Sequence, residues 1–280
     1  MNPKRVTTFQ YFGGKNRAAP WICERLPMTT TYVEPFCGSA GVMVNRIPSR
    51  REIANDLDGD VINFFRVLRE REAELLEKLS LTPYHPGELA ACREALESGT
   101  TDSLERARAF YVRQQQTLVG RKEAIWKFGY AGPPVRPGGR TWNNRLEKLH
   151  AVAKRLHGVE WYCGDGVKLI ESFDDEDVLI YCDPPYDRKV RKSGLKAYSR
   201  DTTDELQERF LAAVSKVSSK VAVSHYPCEM YDTALAGWTR HDMPTVIFSR
   251  NSKDQPPDRG VEALYCNYAM PEQATLPSWA

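Results

Sequence analysis

The chain has 280 residues, of which 41% are hydrophobic and 27% are charged, a composition typical of a folded globular protein. Its sequence contains no apolar run near the ~18 residues that span a bilayer, and it does not start with an apolar signal core. We therefore expect neither a membrane nor a secreted protein. The seven cysteines lie far apart, which argues against a zinc ribbon or a disulfide framework and predicts a reducing, cytoplasmic location.

The net charge of +2 hides an uneven distribution of basic residues. Residues 106–155 contain twelve Lys or Arg and two acids, Glu123 and Glu147, which gives 12 − 2 = +10 there and −8 elsewhere. A second run, residues 188–200, has six basic residues and no acid. Such acid-poor stretches suit a polyanion, because neutralising phosphates releases condensed counterions. They favour nucleic acid over a merely solvated helix face.

Short apolar runs alternate with helical patterns along the chain, which predicts an α/β fold with a mainly parallel sheet covered by helices. The predicted strands are residues 31–34, 52–54, 159–162, 178–182, 220–224 and 263–267. The predicted helices are residues 16–26, 58–78, 104–116, 142–156 and one that starts near Thr203. The run Val178–Cys182 is continuously apolar, as expected for a central strand buried on both faces.

The connection between the second and third predicted strands is about a hundred residues long, far beyond a usual α/β connection. This excess predicts a helical insertion at residues 69–145. Residues 1–68 and 146–280 then form the main α/β domain.

The first motif with chemical meaning is Tyr32-Val33-Glu34-Pro35-Phe36-Cys37-Gly38-Ser39-Ala40-Gly41. A strand that enters a glycine turn lets the backbone approach a nucleotide-like ligand closely, so Glu34, Phe36, Gly38 and Gly41 are candidate contacts. Asp56 follows the next strand at the distance typical of a carboxylate that accepts ribose hydroxyl protons. Asp58 is better placed to cap the next helix.

The second motif is Asp183-Pro184-Pro185-Tyr186, directly after the predicted central strand. The carboxyl end of a middle strand is where open α/β sheets place ligands. The amino group of adenine is a poor nucleophile because its lone pair is delocalised into the ring. Asp183 and the Pro184 carbonyl could accept its two N–H protons and localise that lone pair, while Tyr186 stacks on a base swung out of a duplex.

With these motifs the chain resembles the Dam-type family of adenine-specific DNA methyltransferases. The opening Tyr11-Phe12-Gly13-Gly14-Lys15 and the closing Glu262–Tyr268 segment add to the resemblance. It implies a Rossmann-like class I methyltransferase sheet, S-adenosylmethionine as cofactor, S-adenosylhomocysteine as product and no metal. It also implies cofactor contacts by Tyr11, Lys15, Asp56, Asp165 and Asp183. The family usually has Trp at the position of Tyr11, and Gly166-Val167 replaces an aromatic residue that commonly follows the acid at Asp165.

The resemblance further implies that the inserted subdomain recognises the target and that double-stranded DNA is the partner of a monomer or weak dimer, in a bacterial or phage-infected cell. We expect residues in the two basic stretches to contact phosphates or guanines, without distinguishing the two kinds of contact. The candidates are Arg113, Arg121, Lys122, Lys127, Arg136, Arg140, Arg188, Lys189, Arg191 and Lys192.

Three other interpretations fit the same residues. An RNA adenine methyltransferase would use the same Asp-Pro-Pro-Tyr chemistry. A cytosine amino-methylase would follow the same logic, although Ser usually begins its tetrapeptide. A non-catalytic DNA-binding protein could retain a methylase scaffold, but the intact Gly38, Gly41, Asp56 and Asp183 argue against it.

Overall fold

A computed structural model describes residues 6–117, 138–186, 203–247 and 258–269. The strands are β1 (Thr31–Glu34), β2 (Arg51–Asp56), β3 (Glu160–Cys163), β4 (Val178–Cys182), β5 (Lys220–His225), β6 (Thr239–Ile247) and β7 (Asp258–Cys266). The helices are α1 (Ala19–Cys23), α2 (Gly59–Glu70), α3 (Glu72–Ser80), α4 (Pro86–Glu97), α5 (Ser103–Gln116), α6 (Gly138–Leu156), α7 (Gly166–Glu171), α8 (Asp204–Val214) and α9 (Glu229–Ala234).

The strands form one seven-stranded sheet in the order β3-β2-β1-β4-β5-β7-β6. Strands β1, β4 and β5 are parallel, with Val33 opposite Ile180 and Ile180 opposite Val221, whereas β7 is antiparallel to both β5 and β6. The strand order reverses between β1 and β4, the switch point at which doubly wound sheets bind ligands. The predicted α/β, Rossmann-like fold is confirmed.

Strand β4 lies in the middle of the sheet. All five of its side chains are apolar or aromatic, and all five are buried. It packs in a core with Val33 of β1, Val221 of β5 and Phe210 of α8. A strand covered on both faces cannot shift its register without exposing apolar side chains. The carboxyl ends of β1 and β4 are therefore firmly placed.

Several helices begin at the side-chain caps that their sequences provide. Asp58 accepts the Asp60 N–H at 3.0 Å at the start of α2, which confirms its predicted capping role. Thr203 accepts the Leu206 N–H at 3.2 Å at the start of α8, as expected from its position before two acids. Helix α6 begins at Gly138, so Thr141 lies within the helix and the predicted start at residue 142 is wrong.

The contacts divide the chain into two compact units. The first contains the described parts of residues 1–23, 37–46 and 54–163; the second contains those of 24–36, 47–53 and 164–280. This grouping places α3, α4 and α5 in one unit with the N-terminal segment, and the insertion bounds of 69–145 stay a prediction. Among the helices in the described ranges, none is long and apolar enough to cross a membrane.

An aromatic cluster holds the N-terminal segment of the first unit. Phe9 is fully buried and packs edge-on against Phe64 of α2 and Phe110 of α5, with ring centroids 5.3 and 5.2 Å apart. Phe64 also stacks on Tyr111 at 5.5 Å. Each such aromatic pair contributes about 0.5–1.5 kcal/mol beyond its buried area. The residues just after Phe9 are thus tied to the helical core.

Candidate active site

In the first unit, the glycine turn lies against the opening Tyr11–Lys15 segment. Gly38 has φ +47°, and a Cβ at this position would lie 2.9 Å from Tyr11 Cδ1. Only glycine combines this backbone conformation with such close contact to the ring. Ala40 also has a positive φ, +51°, which is uncommon for a residue with a side chain. Strain of this kind is often found at ligand sites.

Asn16 connects the two motifs, although the sequence interpretation did not single it out. Its Nδ2 donates to the Phe9 carbonyl at 3.2 Å and to Ser39 Oγ at 3.4 Å. A Cβ on Gly41 would lie 2.9 Å from Asn16 Oδ1, so Gly41 is needed for packing here. Lys15 is 7% exposed, and its Nζ donates to the Gly13 carbonyl at 3.0 Å.

Asp56 lies at the end of β2, partly buried, with backbone donors on both carboxylate oxygens. Oδ2 accepts the Gly38 N–H at 2.9 Å, and Oδ1 accepts the Asp58 N–H at 2.8 Å. Burial raises the pKa of Asp56 from 3.8 to about 6, although these backbone hydrogen bonds lower it in part. The arrangement brings Asp56 directly to the glycine turn, and ribose binding by Asp56 stays a prediction.

In the second unit, Glu34 is the last residue of β1 and Phe36 follows the strand. Glu34 is 2% exposed and accepts the Tyr32 hydroxyl at 2.7 Å. Phe36 packs edge-on against Phe210 at 5.8 Å. A Cβ on Gly166 would lie 2.5 Å from Phe36 Cε1, so no side chain fits at Gly166. Contact with Phe36 therefore explains why glycine stands where the family commonly has an aromatic residue.

Asp165 has two partners within the second unit. Its Oδ1 accepts the Val167 N–H at 2.9 Å, which caps α7, and its Oδ2 lies 3.1 Å from Arg209 Nη2. The pKa of Asp165 is lowered because the Arg209 and backbone hydrogen bonds outweigh the opposing effect of burial. A cofactor contact by Asp165 stays a prediction, and capping is a role that the structure itself provides.

Asp183 and Pro184 follow β4, adjacent to β1 at the reversal of strand order. Asp183 is partly buried. Burial, with a smaller effect from the Asp183 charge, raises the pKa of the neighbouring Cys182 thiol and Tyr181 hydroxyl well above their usual ranges.

Tyr186 is 6% exposed, and its hydroxyl donates to Glu262 Oε1 on β7 at 2.6 Å. Its ring meets His225 and Tyr226 edge-on, with centroids 4.7 and 5.2 Å apart. Glu262 had been noted only as part of the closing strand, and the pairing with Tyr186 was not foreseen. Stacking of Tyr186 on a base stays a prediction.

Arg113 is a correction to the predicted DNA contacts. It is 5% exposed, lies over the Phe110 ring, and its Nη2 is 3.7 Å from Asp60 Oδ2. A guanidinium buried in this way cannot reach a phosphate or a base edge. For Arg140 the structure describes only the backbone, within α6. The other DNA candidates lie outside the described residues: Arg121, Lys122, Lys127, Arg136, Arg188, Lys189, Arg191 and Lys192.

Other basic residues of the 106–155 stretch also have internal partners. Arg106 Nη2 lies 2.6 Å from Asp60 Oδ1, and Arg108 Nη2 lies 2.6 Å from Glu105 Oε1. Arg155 donates to the Met43 carbonyl at 2.7 Å. Within the described ranges, no group of three or more His, Cys, Asp or Glu side chains is arranged to hold a metal ion.

Comparison with known families decides the identity of this scaffold. The model of the D12 class N6 adenine-specific DNA methyltransferases matches residues 11–128 and 130–243. The chain belongs to this family. The match includes the opening motif, the glycine turn and Asp183–Tyr186, whereas the closing Glu262–Tyr268 segment lies beyond it.

Individual relatives agree with the family assignment. The chain is 30% identical over 214 residues to a DNA N-6-adenine-methyltransferase of Escherichia phage P1, covering 74% of this chain but only 28% of that longer protein. It is 22% identical to the type II methyltransferase M.MjaIII of Methanocaldococcus jannaschii, covering 92% and 98% of the two chains. It is 24% identical to the DNA adenine methylase of Escherichia coli K12, covering 76% of each.

Proposed function

We propose that this chain transfers a methyl group from S-adenosylmethionine to the exocyclic amino group of an adenine swung out of double-stranded DNA. S-adenosylhomocysteine is then the second product. The observation that carries the proposal is the position of Asp183-Pro184-Pro185-Tyr186 at the carboxyl end of β4, beside the reversal of strand order. Membership of the adenine-specific family supports the choice of base.

The protein's task is to make a weak nucleophile reactive. The Asp183 carboxylate and the Pro184 carbonyl each accept one proton of the adenine amino group, which favours the geometry that frees its lone pair. Acceptors that are already fixed in place need no reorganisation as positive charge develops on the nitrogen. Tyr186 supports the extruded base through its ring.

Asp56 and the residues around the glycine turn fit a nucleoside cofactor. The Asp56 carboxylate accepts the ribose hydroxyls, and the backbone at Gly38 allows close approach. Tyr11 and Lys15 contact the cofactor from the opening segment, and Glu34, Phe36, Gly41 and Asp165 complete the proposed contacts. When bound, S-adenosylmethionine supplies a methyl group attached to a positively charged sulfur. The rest of the cofactor, S-adenosylhomocysteine, is a good leaving group.

The basic segments bind the DNA backbone in this proposal. We call Asp183–Tyr186 the catalytic turn. Four basic residues follow it closely in sequence and clamp the DNA strand beside the extruded nucleotide: Arg188, Lys189, Arg191 and Lys192. Arg121, Lys122, Lys127, Arg136 and Arg140 supply contacts from the insertion. Replacing the four residues of the 188–192 cluster with Gln should weaken DNA binding and flatten its dependence on salt concentration. Unchanged affinity and salt slope would remove this part of the proposal.

The reaction is tested by incubating the protein with duplex DNA and labelled S-adenosylmethionine, followed by mass spectrometry of the nucleosides. N6-methyladenine is the expected product, and N4-methylcytosine would refute the assignment of the base. An equal amount of duplex RNA should compete poorly; preferential labelling of RNA would refute the DNA assignment.

Asp183→Ala should abolish methyl transfer while DNA binding survives, because the variant loses an acceptor for the amino group and keeps the DNA-binding surface. A wild-type protein that binds DNA tightly but transfers no methyl group at saturating cofactor would instead be a non-catalytic binding protein. Substantial turnover by Asp183→Ala would refute the role of this carboxylate.

A further inference from the structure

The catalytic turn lacks two of its own backbone donors. Pro184 and Pro185 have no N–H, so neither can tie the turn to the rest of the protein through an amide hydrogen bond. Their φ angles are fixed by the rings, and the ψ of Pro184 is also restricted because a proline follows it, whereas the ψ of Pro185 has no such restriction. The direction of the Pro185 carbonyl therefore depends on what holds it from outside the turn.

Gln207, in the first turn of α8, holds one of these carbonyls. Its Nε2 donates to the Pro185 carbonyl at 2.8 Å. Gln207 is 1% exposed, and a buried polar side chain of this kind must be hydrogen-bonded to offset its desolvation. The contact fixes the peptide that directly follows the Pro184 carbonyl.

Tyr231, in α9, orients the Gln207 amide. The Tyr231 hydroxyl donates to Gln207 Oε1 at 2.5 Å, and Tyr231 is 1% exposed. If the amide were flipped, its oxygen would face the Pro185 carbonyl, and two acceptors would be in contact. The Tyr231 ring also stacks on His225, with centroids 3.7 Å apart and planes at 4°, which holds the hydroxyl in place.

We propose that Gln207 is a positioning residue for methyl transfer, with Tyr231 acting on the turn through it. By fixing the Pro185 carbonyl, Gln207 restricts the turn that carries the two acceptors for the adenine amino group, Asp183 and Pro184. This inference rests on the proposed function of those two groups. An error of about 1 Å in the placement of reacting groups can lower a rate roughly 100-fold.

The test replaces Gln207 with Met, which has a similar shape but no hydrogen-bonding groups. The rate constant kcat should fall roughly 10- to 100-fold, since the turn loses its anchor. The dissociation constants for S-adenosylhomocysteine and for DNA should stay within about twofold, because the effect falls on the transition state and not on ground-state binding.

A double-mutant cycle shows whether Tyr231 acts through Gln207. Tyr231→Phe keeps the ring and removes the hydroxyl, and should lower kcat by a smaller factor than Gln207→Met. The double variant should be no slower than Gln207→Met alone, since the two residues form one chain of contacts. Tyr265→Phe is the matched control: Tyr265 is 2% exposed and its ring lies 6.4 Å from that of Tyr231, but its hydroxyl donates to Asp232 Oδ1 at 2.8 Å and not to Gln207. It should keep the wild-type kcat.

The outcomes separate this inference from the proposed function. A wild-type protein that forms no N6-methyladenine refutes the proposed function. With an active wild type, the inference is overturned by a Gln207→Met variant with unchanged kcat or by additive losses in the double variant. It is equally overturned if cofactor affinity and Tm fall in proportion to kcat, because Gln207 would then be a purely structural residue.

Discussion

Lowering the pH should weaken cofactor binding through Asp56. Its pKa is raised to about 6, chiefly by burial, and ribose hydroxyls need the ionised carboxylate as their acceptor. Only the ionised fraction binds, so the apparent Kd for S-adenosylhomocysteine should rise by a factor of about 2 at pH 6 and about 11 at pH 5, compared with pH 8. Above pH 7 the Kd should be nearly constant.

The same shift predicts the opposite trend for stability. The folded protein holds the Asp56 proton more tightly than the unfolded chain, whose carboxyl titrates near 3.8. The contribution of Asp56 to the unfolding free energy is therefore fully present below about pH 4 and is lost as the pH rises through about 6. At neutral pH this loss lowers the free energy of unfolding by about 3 kcal/mol compared with pH 4 and below. If Asp56 binds the ribose as proposed, the hydroxyls should offset part of this loss by stabilising the carboxylate.

Isothermal titration calorimetry with S-adenosylhomocysteine between pH 5 and pH 8, at constant ionic strength, measures the effect. Asp56→Asn is the control: it should bind more weakly at pH 8 and lose the dependence on pH, because the amide does not titrate. A wild-type Kd that stays constant down to pH 5 would refute the reasoning. So would an Asp56→Asn variant with the wild-type pH profile, because another group would then be responsible.

Three substitutions test the packing described above. Gly38→Ala should lower stability by more than the about 1–2 kcal/mol of left-handed strain alone and should weaken S-adenosylhomocysteine binding, since the new Cβ would lie 2.9 Å from a ring carbon. Gly166→Ala should lower stability by about 1–3 kcal/mol through overlap with Phe36, measured by denaturant unfolding. Arg113→Met should lower the unfolding free energy by about 1–3 kcal/mol, because it leaves a buried carboxylate with fewer partners, yet keep the salt dependence of DNA binding unchanged.

Matched glycines provide the controls for these substitutions. Gly99 has φ +74° with open space around it, so Gly99→Ala reports the strain without the clash. Gly158 has open space and no such strain, so Gly158→Ala should change stability little. If Gly38→Ala were no more harmful than Gly99→Ala, or Gly166→Ala no more than Gly158→Ala, the steric argument would fail. A flatter salt slope for Arg113→Met would restore this residue as a DNA contact.

The central strands could be predicted from sequence because their signal is local. Strands β1 and β4 have the predicted bounds, since a short apolar run between polar segments is read directly from neighbouring residues. Strand β6 was missed: Thr239–Ile247 contains Arg240, Asp242 and Pro244 and lacks a clear alternation of apolar residues. It lies at the edge of the sheet, paired only with β7, where charges and a proline are tolerated.

The long predicted helix at residues 58–78 is two helices in the structure. Helix α2 ends at Glu70 and α3 begins at Glu72, with Arg71 at φ −137° and ψ 39° between them. No glycine or proline marks this break. The Arg71 guanidinium donates to both oxygens of Glu74, with distances of 2.8 and 2.6 Å, at the start of the new helix. Nothing in the apolar periodicity distinguishes such a break from a continuous helix.

The candidate site shows the same division between local and distant information. Asp183 was identified because it directly follows a predicted strand, and Asp56 because it lies two residues after another. The link from Gln207 to Pro185 joins residues 22 positions apart and depends on how α8 packs, which the sequence pattern does not reveal. Local charge is an incomplete guide in the basic stretch for a related reason: Asp60 and Glu88, which pair with Arg106 and Arg108, precede it in sequence.

The buried Phe9 limits how a bound molecule could leave the first unit. Detaching Tyr11 and Lys15 from the glycine turn would also displace Phe9, whose side chain packs against α2 and α5. Release of a bound product by detachment of residues 11–15 would therefore require partial disruption of this aromatic cluster. We therefore expect residues 11–15 to stay in place against the glycine turn during product exchange.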